Sequence, residues 1–182
     1  RQSKPQRRVV VTGMGMITPL GLTVAENWDS ITQGRSGIDS IQSFDPEGFT
    51  SKIAGEVKNF DLESIIEKKE LKKMDRFVVY ALESTRQALE DSGIDLDTNE
   101  LLRARTGALI GVGIGGLPVI EKQAKLYHER GPGRISPFFI PAVITNMASG
   151  HISIRYGLRG PNFSVTSACA SGAHSLGEAA QY

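Results

Sequence analysis

Cys169 stands alone as a thiol in a chain of 182 residues. It lies in the run Phe163-Ser164-Val165-Thr166-Ser167-Ala168-Cys169-Ala170-Ser171-Gly172. A strand-like stretch runs into tiny residues, then the thiol, then tiny residues again. Beyond it Ala173, Leu176, Gly177 and Ala180 recur at helical spacing. This pattern sets the thiol on a strand-to-helix corner, at or near a helix N-terminus. Unpaired amides and the helix dipole favour a thiolate there, and the thiolate is the nucleophile. Small neighbours let a substrate come close to the sulfur, as in nucleophile elbows built on serine. The competing reading is a buried thiol that acts as a small hydrophobe.

A nucleophilic thiol needs a positioned acid or base. His174 is five residues past Cys169, roughly 140° around a helix, so it is expected to face away from the thiol. His128 and His151 have no evident partner, no pair of histidines has metal-ligand spacing, and neither a metal nor a cofactor is expected. Gly111-Val112-Gly113-Ile114-Gly115-Gly116 matches G-x-G-x-x-G after an expected strand. The second strand with its acidic residue about 20 positions on is missing, which speaks against a dinucleotide site. The plain alternative is a tight, close-packed turn, or one lining a narrow substrate channel. Lys68, Lys69, Lys72, Lys73 and Arg76 form a basic cluster. Lys68, Lys72 and Arg76 share i, i+4 spacing and could line one helical face, either solvated or docking an acidic partner.

The elements that must hold these residues alternate. Val9-Val10-Val11 reads as a buried first strand. Thr23-Val24-Ala25-Glu26 is a capping box that opens a helix with Val24, Trp28 and Ile31 on its apolar face, ending at Gly34. A short strand is expected near 52–55 within a loop-rich stretch. A longer helix follows Asp75, with Phe77, Ala81, Leu82, Thr85, Ala88 and Leu89 inward and Gly93 as its stop. A buried strand covers 106–112, and Pro118 opens another helix. Residues 131–141 read as loop and 142–149 as a short helix, and a turn-rich link at 156–162 leads into the strand before Cys169. Strands separated by helices argue for an α/β layer with parallel strands.

Composition sets outer limits. A hydrophobic share of 40% suits a globular domain, and the net charge of +1 points to neither nucleic acid nor membrane. A single cysteine allows no intrachain disulfide and fits a reducing, cytoplasmic setting. Residues 1–8 form a basic tail without the apolar segment of a secretory signal, and 9–182 form the folding unit. The last helix runs into Tyr182 without a stop signal, so the chain is expected to continue.

Several segments together resemble the β-ketoacyl-acyl-carrier-protein synthases, above all their elongating type (synthase II-like), over the N-terminal half only. They are Val9-Val10-Val11-Thr12-Gly13-Met14-Gly15, the turn at 111–117, Ile135-Ser136-Pro137-Phe138-Phe139-Ile140-Pro141, Asn146-Met147, Gly157-Leu158-Arg159-Gly160-Pro161-Asn162 and the run around Cys169. The resemblance implies an α/β, thiolase-like fold, of which this chain is the first half of a layered αβαβα architecture. It implies acylation of Cys169 by a thioester, with the Cys169 N–H as one oxyanion donor. Decarboxylation of a malonyl-carrier protein and condensation to a 3-ketoacyl product two carbons longer would follow. It further implies that Ile114 and Phe139 line the acyl pocket. Lys68, Lys69, Lys72, Lys73 and Arg134 are implied to dock acyl carrier protein. The family is homodimeric, with the Phe163-Ser164-Val165 strand near the interface. Its catalytic histidines and lysine belong to the C-terminal half, so this chain alone is expected to be inactive and to expose an apolar face. A polyketide-type ketosynthase, a non-catalytic binding module and a nucleotide-dependent oxidoreductase are the other readings.

Overall fold

The computed structural model describes residues 8–182; the expectation of a basic tail falls, apart from Arg8, outside the described residues. The Thr23 cap works as its sequence implies. Thr23 Oγ1 accepts from the Glu26 N–H (3.2 Å), and helix α1 runs Val24–Thr32. The Glu26 carboxylate returns to the Leu22 N–H (2.6 Å), one residue ahead of the usual capping-box partner. The buried face of α1 is polar rather than apolar. Asn27 and Ser30 are buried, and Asn27 Nδ2 donates to the carbonyls of Gly21 (2.9 Å) and Thr23 (2.7 Å). Trp28 and Ile31, expected inside, are exposed.

A small antiparallel pair follows, β1 (Ile38–Ser40) with β2 (Ile53–Gly55). The sequence had pointed to the second strand alone. Two four-residue helices, α2 (Leu62–Ile65) and α3 (Lys68–Leu71), lead into the long helix α4 (Arg76–Ser92). Gly93 ends α4 with a left-handed φ of 65°, as its position after the apolar stripe requires. The deepest α4 residues are Val78, Val79 and Leu82. Of the stripe expected to face inward, Leu82 is fully inside and its companions are half-buried.

After α5 (Glu100–Arg105), strand β3 (Ala108–Gly111) pairs in parallel with β4 (Asn162–Val165), Ala108 opposite Asn162 and Gly111 opposite Val165. Parallel strands need a crossover. Here it is built by α6 (Leu117–Arg130), a 3₁₀ turn at Pro132–Arg134, α7 (Phe139–Val143) and α8 (Met147–Tyr156). The single helix expected at 142–149 is therefore two. The chain is extended at Ile144, the C-cap of α7, before turning into α8.

Strand alternation sets the layers. Ala108 and Ile110 join Val78, Val79, Leu82 and Ile152 in the core, under α4 and α8. Gly111, of opposite parity to Ala108 and Ile110, faces α9 (Ser171–Ala179) instead. The chain thus stacks α4 and α8, the β3–β4 pair, and α9.

Two expectations of burial are corrected. Val9, Val10 and Val11 form no strand, and Val11 is 79% exposed. The chain just beyond them lies instead against α4, where Met14 N–H donates to Asp91 Oδ2 (2.9 Å) and Met16 N–H to Gln87 Oε1 (3.1 Å). A strand needs a ladder partner, and among the described residues none flanks this segment. On α9 the stripe of Ala173, Leu176, Gly177 and Ala180 is open to solvent, with Leu176 73% exposed. Its serine face, Ser171 and Ser175, is the buried one. The apolar stripe of α9 and the valines at 9–11 both stand open to solvent.

Candidate active site

β4 ends at Val165, a 3₁₀ turn spans Ala168–Ala170, and α9 begins at Ser171. Cys169 sits in that turn, on the corner its neighbours predict, and it is exposed rather than buried. The corner is strained. Ala168 has φ 50°, a left-handed conformation that residues other than Gly, Asn and Asp seldom adopt. Strain of this kind persists only where the surroundings impose it.

The imposing bonds are local. Ser171 Oγ accepts from the Ser167 N–H (2.9 Å) and donates to the Ala168 carbonyl (2.7 Å). Ala170 N–H donates to the Ser167 carbonyl (3.1 Å). The Cys169 N–H has no acceptor among the described residues, so it is free for a developing oxyanion beside the sulfur.

His174 is tied to this corner. Its Nδ1 lies 2.6 Å from Ser167 Oγ. Cys169 does not lie on the helix that carries His174: the thiol precedes α9. Ser167 precedes α9 as well, so no helical spacing in the sequence signals this bond.

The glycine run holds this corner against the crossover. A Cβ on Gly111 would lie 2.2 Å from the Ser171 carbonyl oxygen. One on Gly113 would lie 3.6 Å from the Ala168 oxygen, and one on Gly115, at φ 92°, 2.4 Å from the Val143 oxygen. At Gly111 and Gly115 the space a side chain would need is filled by protein backbone. That is the close-packed-turn reading of the motif. Ile114 is therefore carried between the elbow and α7, and it is 72% exposed. Phe139 opens α7 and is half-buried.

The basic cluster is not one helical face. α3 stops at Leu71 and α4 starts at Arg76, so the spacing of Lys68, Lys72 and Arg76 crosses a break. Three of its lysines meet acids: Lys68 with Glu63 (3.2 Å), Lys69 with Glu67 (2.9 Å) and Lys73 with Glu70 (2.8 Å). Lys73 Nζ also sits 5.6 Å from the Phe138 ring centroid, joining this surface to the segment that carries Arg134 and Phe139. Exposed pairs of this kind are worth little and exchange readily.

His151 lies apart from Cys169, on α8. It faces a groove of about 450 Å³ lined by Ile66, Met74 and Leu82 among others, and its Nε2 is buried without a partner. Burial holds its imidazole below the ordinary histidine range, the Glu70 carboxylate opposes this, and Lys73 adds to it. Among the described residues no cluster of three or more His, Cys, Asp and Glu could hold a metal ion. No helix among them is long and apolar enough to cross a membrane.

Comparison with known proteins bears on this geometry. Residues 6–182 match the family described as β-ketoacyl synthase, N-terminal domain. The chain is 49% identical over 176 residues to the 3-oxoacyl-[acyl-carrier-protein] synthase 2 of Vibrio cholerae, and 48% identical over 176 residues to that of Coxiella burnetii. Each alignment covers 97% of this chain but 42% of the relative. The chain thus spans about two-fifths of the length of the curated relatives it matches. Among solved structures, a type II polyketide acyl-carrier protein in complex with its ketosynthase, bound to the hexaketide, superposes with a TM-score of 0.79 at 26% identity. That match covers 97% of this chain and 47% of the other. A β-ketoacyl synthase from Burkholderia phymatum shares the fold, with a TM-score of 0.79 at 24% identity over 94% of this chain and 42% of that one.

Proposed function

Since the chain belongs to the β-ketoacyl synthase family, as its N-terminal domain, we propose that it is the nucleophile-bearing half of a condensing enzyme of fatty-acid elongation. The observation that carries this reading is Cys169, exposed on a strained elbow with its own N–H free. The Cys169 thiolate attacks the carbonyl of an acyl thioester. The oxyanion forms beside the Cys169 N–H and collapses, the carrier sulfur departs as a thiolate that takes up a proton from solvent, and the acyl group remains on Sγ. Malonyl-carrier protein then loses CO₂, its carbanion attacks the acyl carbonyl, and the Cys169 thiolate is released. The product is a 3-ketoacyl thioester two carbons longer.

Residues 9–182 form one half-domain in this reading, and the C-terminal half of the same fold supplies the histidines and lysine of the second step. That half covers the open stripe of α9. A homodimer, with the Phe163-Ser164-Val165 strand near its interface, and a cytoplasmic location complete the proposal. Ile114 and Phe139 line the acyl pocket, which the placement of Ile114 between the elbow and α7 supports. Lys68, Lys69, Lys72, Lys73 and Arg134 dock acyl carrier protein, whose acidic groups exchange for Glu63, Glu67 and Glu70. The relatives at 45–49% identity favour fatty-acid elongation over a polyketide role, for which the structural likeness is at 26%.

The test is an intact-mass measurement on the complete protein before and after a medium-chain acyl thioester. One acyl adduct is expected, absent from Cys169→Ala. An adduct that persists in Cys169→Ala would remove Cys169 as the nucleophile. A wild-type protein that takes no acyl group would point to a non-catalytic binding module.

A further inference from the structure

We infer that His174 is a positioning residue for the acylation step: through Ser167 Oγ it anchors the elbow that presents Cys169. The inference rests on the reading of Cys169 as the acylated nucleophile.

The elbow holds a left-handed Ala168 next to the thiol. Three of its restraining bonds close within the turn itself or to the first residue of α9: Ser167 N–H to Ser171 Oγ, Ser171 Oγ–H to the Ala168 carbonyl, and Ala170 N–H to the Ser167 carbonyl. Two of them, through Ser171 Oγ, tie the turn to the first residue of α9, and the third closes within the turn. The contact of Ser167 Oγ with His174 Nδ1, at 2.6 Å, reaches further along α9, to its fourth residue. The start of α9 is in turn seated on β3 at Gly111, where no side chain fits. The position of the sulfur is thereby referred to the sheet through a rigid helix and not only to its own loop. A reacting group misplaced by 1 Å reacts about 100-fold more slowly, so an anchor of this kind acts on rate more than on binding.

The geometry picks out one ring nitrogen, and that makes the inference specific. Nδ1 is bonded to Cγ, as are the amide oxygen and nitrogen of asparagine. Asn at 174 can therefore meet the Ser167 hydroxyl as donor or acceptor, whichever the hydroxyl requires. Gln places its amide one carbon further out, near the position of Nε2, and misses it.

The experiment uses the complete synthase and single-turnover acyl transfer to Cys169 from a medium-chain acyl thioester, followed by intact mass across thioester concentrations. His174→Gln and Ser167→Ala are each expected to slow the saturating rate by about tenfold, the loss of roughly one hydrogen bond. The half-saturating concentration should be unchanged. The double variant should be no slower than either single, since both remove one interaction, and His174→Asn should stay within about twofold of wild type. Gln acylating at the wild-type rate, Asn and Gln losing equally, or additive losses in the double variant would each overturn the inference. Ser167→Ala deletes one oxygen and keeps the test open if a histidine variant fails to fold. An adduct that survives Cys169→Ala would instead overturn the reading beneath it, and the inference with it.

Discussion

Gly111→Ala tests whether the sheet sets the position of the nucleophile. A Cβ built there lies 2.2 Å from the Ser171 carbonyl oxygen, 2.4 Å from its carbonyl carbon and 2.6 Å from the Gly172 nitrogen. All three are backbone atoms, so no rotamer change relieves the clash. Restoring ordinary contact moves the start of α9 away from β3 by about 1 Å. Overpacking of this kind costs about 1–3 kcal/mol, and the entropy gained in replacing glycine returns about 0.5–1 kcal/mol. A net loss of up to about 2.5 kcal/mol in stability is expected. The larger effect falls on reactivity, because Cys169 moves with the helix: about 100-fold slower acyl transfer for a displacement near 1 Å. The assay pairs acyl transfer to Cys169 with denaturant unfolding. Gly133→Ala is the control, since a Cβ there meets nothing within 4 Å; it should change neither quantity beyond about 0.5 kcal/mol. If Gly111→Ala acylates within about threefold of wild type while remaining folded, the seat on β3 does not govern the thiol.

Four further substitutions, at three positions, address strain and charge. Ala168→Gly relieves the left-handed conformation and should leave stability unchanged or raise it by up to about 1 kcal/mol. Ala168→Val should lower it by about 2 kcal/mol, and denaturant midpoints decide. His151 is held neutral by burial, so its folded pKa lies below its unfolded value of 6.5. The unfolded chain then binds the proton more readily, and stability should fall as pH drops below 6.5, by at most about 1.4 kcal/mol per pH unit. His151→Leu should flatten that slope, and a slope unaltered by the substitution would place its source elsewhere. Glu83 is buried and bonded by Arg86 (Nη2 at 2.5 Å, Nε at 2.7 Å), which holds its carboxyl below the ordinary range. Its contribution is present above the unfolded carboxyl pKa and is lost as pH falls through the lower folded value. Glu83→Gln should cost about 1–3 kcal/mol at neutral pH and remove that part of the acid loss, as urea titrations at pH 7 and pH 4 would register.

Much of this architecture was legible because it depends on a few neighbouring residues. The Thr23 side chain caps α1, the left-handed Gly93 stops α4, Pro118 stands in the first turn of α6, and tiny residues bracket Cys169. Each acts within one helical turn or one corner, so residue type and spacing suffice. The same holds for the elbow, whose place between β4 and α9 follows from apolar periodicity giving way to small residues.

Tertiary structure alone decided which faces are covered. Periodicity marks an apolar stripe but does not say what lies against it, and the stripe of α9 and the valines at 9–11 stand open while serines of α9 are buried. Burial belongs to the neighbour as much as to the residue, and a sequence without its neighbours in view assigns every apolar face inward. His174 escaped for a related reason. A helical wheel presumes one continuous helix, whereas the thiol sits in a 3₁₀ turn ahead of it. The bond from His174 to Ser167 exists only once that turn has folded back toward α9. The identities of the thiol and its neighbours were written in the sequence, and the frame that holds them arises from contacts between segments far apart along the chain.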